Sequence, residues 1–145
     1  MRFFNTAGPI NPKDHYHIDL LSRINIDDIM MLIEQRKNFV LHAPRQTGKT
    51  SCMLALMHHL NKEGKYACLY ANIEAAQGAR ENVEQAMHDI LNELAGRAEY
   101  FLKDGFPADI LPDIFVKGGY GTALNQCLTK WSEHLSKPLV LLIDE

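Results

Sequence analysis

Asn38-Phe39-Val40-Leu41-His42-Ala43-Pro44-Arg45-Gln46-Thr47-Gly48-Lys49-Thr50 is the stretch from which the rest of the chain takes its meaning. It opens with a short apolar run of the kind that makes a buried strand of a parallel sheet. A loop ending in Gly-Lys-Thr follows, and then an apolar-periodic segment, Ser51 to Leu60, that reads as a helix. Strand, phosphate loop and helix in that order are the setting of a Walker A motif. Ala43 stands where the strict pattern has glycine, and the closing Gly48-Lys49-Thr50 is intact.

Each residue type in the loop has a chemical reason. A helix starting near Gly48 turns its first backbone N–H groups toward the loop, and with the helix dipole they form a nest for polyphosphate. Gly48 lets phosphate approach the backbone closely. Lys49 is placed to reach the β- and γ-phosphate oxygens, and the Thr50 hydroxyl to ligate Mg²⁺.

A second piece closes the chain. Pro138-Leu139-Val140-Leu141-Leu142-Ile143-Asp144-Glu145 is a run of large apolar residues ending on two acids. A fully buried parallel strand has this composition, and its carboxyl end delivers Asp144 to the rim where ligands bind. Taken alone, it reads as a buried strand ending in solvated acids. Beside a phosphate loop it reads as Walker B, with Asp144 holding Mg²⁺ and Glu145 orienting and deprotonating the attacking water.

The 145 residues suit one domain of ordinary globular composition. A formal charge of -3 provides no basic footprint, hence no positive argument for nucleic acid. Cys52, Cys68 and Cys127 are odd in number, widely spaced and set in apolar segments. They read as reduced core thiols of a cytoplasmic protein and not as a disulfide frame or zinc site. No signal peptide or membrane-length apolar run is visible.

Residues 1–24 form an irregular lead-in, and residues 25–145 the body. His15 and His17 with Asp14 read as exposed loop residues, since no further ligand cluster stands near them in sequence. Asn25 is the expected N-cap of a helix whose stripe is Ile26, Ile29, Met30 and Ile33. Arg23-Ile24 at its entry suits either simple packing or contact with adenine or ribose. The loop helix buries Met53, Leu56, Met57 and Leu60 and stops before Gly64. Lys65 to Ile73 is the second strand, bringing Asn72 and Glu74 to the rim. Val83, Met87, Ile90, Leu91 and Leu94 mark a crossover helix ending near Arg97, and Leu124, Leu128, Trp131 and Leu135 mark another over 122–135. Between them, Gly105, Pro107, Pro112 and Gly118-Gly119 punctuate residues 98–120 into what reads as a loop-rich insertion with one or two helical turns. The pattern is α/β with a mostly parallel sheet.

The lead-in FFNTAGPINPKDHY, the entry LLSRINIDDI, and NFVLHAPRQTGKTS joined to KYACLYANIE resemble the AAA-like ATPase domains, P-loop proteins related to the AAA+ and STAND ATPases. The resemblance runs from Phe3 to Glu145 and implies a three-layer αβα P-loop fold. It implies that Ala43, Pro44, Arg45, Gln46, Thr47, Gly48, Lys49 and Thr50, with Ser51 next in line, bind ATP phosphates. Thr50 and Asp144 then serve Mg²⁺, while Glu145 and Lys49 are catalytic. Such domains continue past the second motif with a sensor strand, usually an arginine finger, and often a helical lid. The expectation is therefore an incomplete fold, a fragment that is weak or inactive in hydrolysis, because an arginine finger contributes several powers of ten in rate. A homo-oligomer supplying that finger and an unidentified effector are the expected partners.

The leading expectation is Mg²⁺-dependent ATP hydrolysis driving conformational change. A nucleotide-controlled switch with little turnover is the alternative, with a P-loop small-molecule kinase and then a GTPase behind it.

Overall fold

The computed structural model describes residues 1–4, 11, 13–16, 19–42 and 47–144. They fall into two compact units, Met1–Ala55 and Leu56–Glu145. The architecture is mixed α/β and mostly helical.

In the first unit, Phe3 and His15 form an isolated bridge, and the His15 ring meets Phe3 edge-on at 4.7 Å. His15 Nδ1 accepts the Asn11 N–H, so this imidazole serves the loop itself. A 3-10 turn, Leu20–Arg23, leads into α1, Ile26–Glu34. Asn25 caps α1 by accepting the Asp28 N–H, and Asp27 and Asp28 stand at the positive end of the helix. Ile29 and Ile33, one turn apart, are its buried residues. Helix α2, Lys49–Glu63, begins in this unit, and the unit boundary falls within it.

In the second unit, β1 (Ala67–Asn72) and β2 (Leu139–Asp144) pair in parallel, with Ala67 opposite Leu139 and Asn72 opposite Asp144. A parallel pair cannot be closed by a tight turn. Here the connection is three helices: α3 (Val83–Arg97), α4 (Phe106–Gly118) and α5 (Tyr120–His134). The pleat divides the strands. Leu69, Ala71, Leu139 and Leu141 pack with Leu91, Leu94, Ile114, Cys127 and Trp131 of the helices. Cys68, Tyr70, Asn72, Leu142 and Asp144 alternate with them and take the opposite face.

The outer edge of β1 is closed by side chains. Asn61 Oδ1 accepts the Cys68 N–H and Asn61 Nδ2 donates to the Cys68 carbonyl, both at 2.8 Å, as a neighbouring strand would. Met57 Sδ takes the next outward N–H, that of Tyr70. Helix α2 thus satisfies an edge that water cannot reach, since Cys68 is fully buried.

Two sequence expectations are corrected. The strand expected over Asn38–Leu41 does not form: residues 37–42 carry no ladder, and Val40 is 77 % exposed. An apolar run records a capacity for burial, but a strand exists only through the backbone of a partner. Among the described residues the sheet has two strands. The loop-rich reading of 98–120 fails as well. Helix α3 passes into one π turn, Ala98–Leu102, ended by Lys103 in the left-handed region, and α4 follows at Phe106. Pro107 lies in the first turn of α4, where a missing N–H costs nothing. Pro112 removes one helical bond, a cost of about 3 kcal/mol. Burial of Pro107, Leu111 and Ile114 along one side of the helix offsets it. In α5 the buried stripe is Ala123, Cys127 and Trp131, with Leu124, Leu128 and Leu135 flanking it.

Two outcomes test this packing. Asn61→Ala leaves the buried N–H and C=O of Cys68 without their partners and should cost about 2–4 kcal/mol in urea unfolding. Burial also pushes the Cys68 thiol from 9.0 up to about 12, and Cys127 upward too. Below pH 9 both folded and unfolded thiols are neutral, so stability is unaffected. Above it the unfolded chain ionises first. Stability should therefore fall between pH 9 and 12, by up to about 1.4 kcal/mol per pH unit through Cys68, with Cys127 acting in the same direction, and Cys68→Ala should flatten that decline.

Candidate functional site

In the first unit the site is the start of α2. Gly48 has φ 84°, a left-handed conformation that an L side chain adopts only with strain. Its carbonyl accepts the Cys52 N–H at 2.9 Å, which makes it the residue from which the helix springs. Lys49, Thr50 and Ser51 form the first turn, the end of the helix at which the dipole favours an anion. A Cβ on Gly48 would stand 3.3 Å from Nη1 of Arg23, so the Arg23 guanidinium lies beside this turn. Cys52, one turn along, points its thiol at the Leu20 carbonyl at 3.6 Å. Arg23, which the sequence assigned either to packing or to adenine or ribose, thus stands beside Gly48. Ala43, Pro44, Arg45 and Gln46 lie outside the described residues.

In the second unit the site is the carboxyl end of the parallel pair. Asp144 closes β2 and is 6 % exposed, the buried acid of this unit. Tyr70, 4 % exposed, donates its hydroxyl hydrogen bond to Asp144 Oδ2 at 3.2 Å. Asn72, opposite Asp144 in the ladder, accepts the Glu74 N–H on its own Oδ1 at 2.8 Å, turning the chain out of the strand. Asn72 and Glu74 therefore shape the strand end. Glu145 lies outside the described residues.

Thr50 of the first unit carries a hydroxyl and Asp144 of the second a carboxylate, each a hard oxygen of the kind magnesium takes. Among the described residues no cluster of three His, Cys, Asp or Glu side chains is present, and no helix is long and apolar enough to cross a membrane. The three cysteines are free and buried. Trp131 is fully buried, and its indole N–H donates to Asp104 Oδ2 at 2.7 Å, so the ring belongs to the core.

Sequence reasoning did not single out Tyr70. It is one apolar letter in an apolar strand, and only the register that sets Tyr70 opposite Leu142 brings its hydroxyl to Asp144. It also missed a hollow of about 310 Å³ at the amino ends of the strands, lined by Asn61, Tyr66, Phe101, Asp104 and Lys137 among others.

Gly48→Ala is expected to lower stability by about 1–2 kcal/mol, the cost of a left-handed L residue, with the Arg23 guanidinium displaced as well. A thermal melt of the two proteins measures it.

Set against known proteins, the chain matches no family model, no curated protein and no solved structure.

Proposed function

We propose that this chain binds ATP with Mg²⁺ through the loop ending at Gly48 and the first turn of α2, and that it serves as an ATPase module. The observation that carries the reading is local. A left-handed glycine immediately precedes a helix whose first three residues are Lys49, Thr50 and Ser51. That conformation removes side-chain bulk and gathers N–H groups where a phosphate chain would lie.

In this reading Lys49 brings a positive charge to the β- and γ-phosphate oxygens, and the N–H groups of the turn hold the remaining oxygens. Thr50 and Asp144 are the residues that would hold Mg²⁺, which when bound neutralises charge on the phosphates. Asp144, an acid at the carboxyl end of a parallel strand, is where such folds present ligand-binding groups. Glu145 orients the attacking water and accepts its proton. An arginine supplied by a second copy would speed the reaction, and an effector would receive the resulting conformational change.

Calorimetric titration of the chain and of Lys49→Ala with MgATP tests the reading, with circular dichroism on both. Binding in the micromolar range that weakens about 10- to 100-fold in the variant is the expected result, the worth of one charge-assisted contact. A folded parent that takes up no MgATP overturns it. Tight retention of ADP without turnover would replace the ATPase by a nucleotide switch.

A further inference from the structure

We propose that Tyr70 is a positioning residue for the metal-binding carboxylate: its hydroxyl fixes Asp144 in the orientation in which it meets Mg²⁺. The proposal rests on the MgATP reading above and adds to it a residue that no motif contains.

Three observations carry it. Asp144 is 6 % exposed and closes an apolar strand, a setting in which a carboxylate is costly unless a donor satisfies it. Tyr70 supplies one, at 3.2 Å to Oδ2. The contact is also specific to the ladder. Tyr70 pairs with Leu142 and Asn72 with Asp144, so the tyrosine reaches diagonally across the strands on the face that Asp144 shares. A diagonal of about 7–8 Å lies within the span of an aromatic side chain and beyond that of a serine or threonine. Finally, the hydrogen bond that Asn72 makes is to its own loop, where its Oδ1 accepts the Glu74 N–H, while the Tyr70 hydroxyl is aimed at Asp144.

Tyr70 is held in turn from outside its own strand. Its backbone N–H donates to Met57 Sδ, and the Asn61 amide brackets Cys68 two residues earlier. The ring is 4 % exposed. The hydroxyl therefore sits at a fixed point relative to the strand end and limits the rotation of the Asp144 carboxylate. Outer partners of this kind, when removed, typically cost about 10- to 100-fold in metal affinity.

The test is a Mg²⁺ titration of nucleotide binding, read with a fluorescent ATP analogue, for the parent, Tyr70→Phe, Asp144→Asn and the double variant. Tyr70→Phe keeps the ring and deletes the donor. The expected result is a half-saturating Mg²⁺ concentration about 10- to 100-fold higher, with analogue binding in EDTA equal to that of the parent. In the Asp144→Asn background the same change should add nothing, the signature of two residues acting through one contact. A merely structural tyrosine would lower the melting temperature of Tyr70→Phe and leave its Mg²⁺ dependence unmoved; that outcome overturns the proposal. A folded parent that binds no analogue removes the MgATP reading itself and the role of Tyr70 with it. Should Tyr70→Phe lose the fold, fluorine NMR of the 3-fluorotyrosine-labelled parent decides. A tyrosine resonance that moves with Mg²⁺ at saturating ATP, and no longer moves in Asp144→Asn, supports the proposal; five unmoved resonances overturn it.

Discussion

The parallel ladder between Ala67–Asn72 and Leu139–Asp144 is the constraint on which the second unit depends. Two parallel strands have no turn to hold them in register and need cover on their faces. The chain meets the first need with a connection of three helices, and these same helices cover one face. Leu91, Leu94, Ile114, Cys127 and Trp131 converge on Leu69 and Ala71, so the connection and the core are one structure. The remaining vulnerability of β1, its outward-facing N–H and C=O groups, is met by Asn61 and Met57 of α2.

Polar groups inside this core are few, and each has a partner. Asp104 shows how one residue can organise several elements. Its Oδ1 accepts the Phe106 N–H at the start of α4, and its Oδ2 accepts the Trp131 indole N–H from α5. The π turn that precedes Asp104 widens the end of α3, and Lys103 in the left-handed region redirects the chain into α4. An apolar core with one bridging carboxylate is thereby tied at the entry of one helix and the last turns of another. Its buried side-chain polar atoms are all satisfied among the described residues.

At the carboxyl end of the ladder the same economy joins two polar side chains. The pleat that sends Leu69 and Leu141 into the helical core sends Tyr70 and Asp144 to the other face, so the tyrosine and the acid meet as a consequence of register. The start of α2 works differently. Its geometry comes from backbone alone, from a glycine at φ 84° and the first turn that follows it. The first of these features follows from strand pairing, the second from local conformation.

That difference explains how much could be read in advance. The sequence by itself determined the helix caps, the start of α2 at Gly48-Lys49, the buried side of that helix and the apolar runs of β1 and β2. These follow from short-range rules, in which Asn25 accepts the Asp28 N–H or Gly48 alone tolerates a left-handed turn. Residues 37–42 carry a shorter apolar run, Phe39-Val40-Leu41, and form no strand, because a strand is made by a partner that its own letters do not name. Helix α4 was hidden by Pro107, which suits a first turn, and by Pro112, whose local cost is offset by burial along one side of the helix. Tyr70 was hidden because register decides its partner. Which strand lies beside which, in what register, and what closes the edge are decided by contacts between residues far apart in the chain. Tertiary structure alone joins Tyr70 to Asp144 and Asn61 to Cys68.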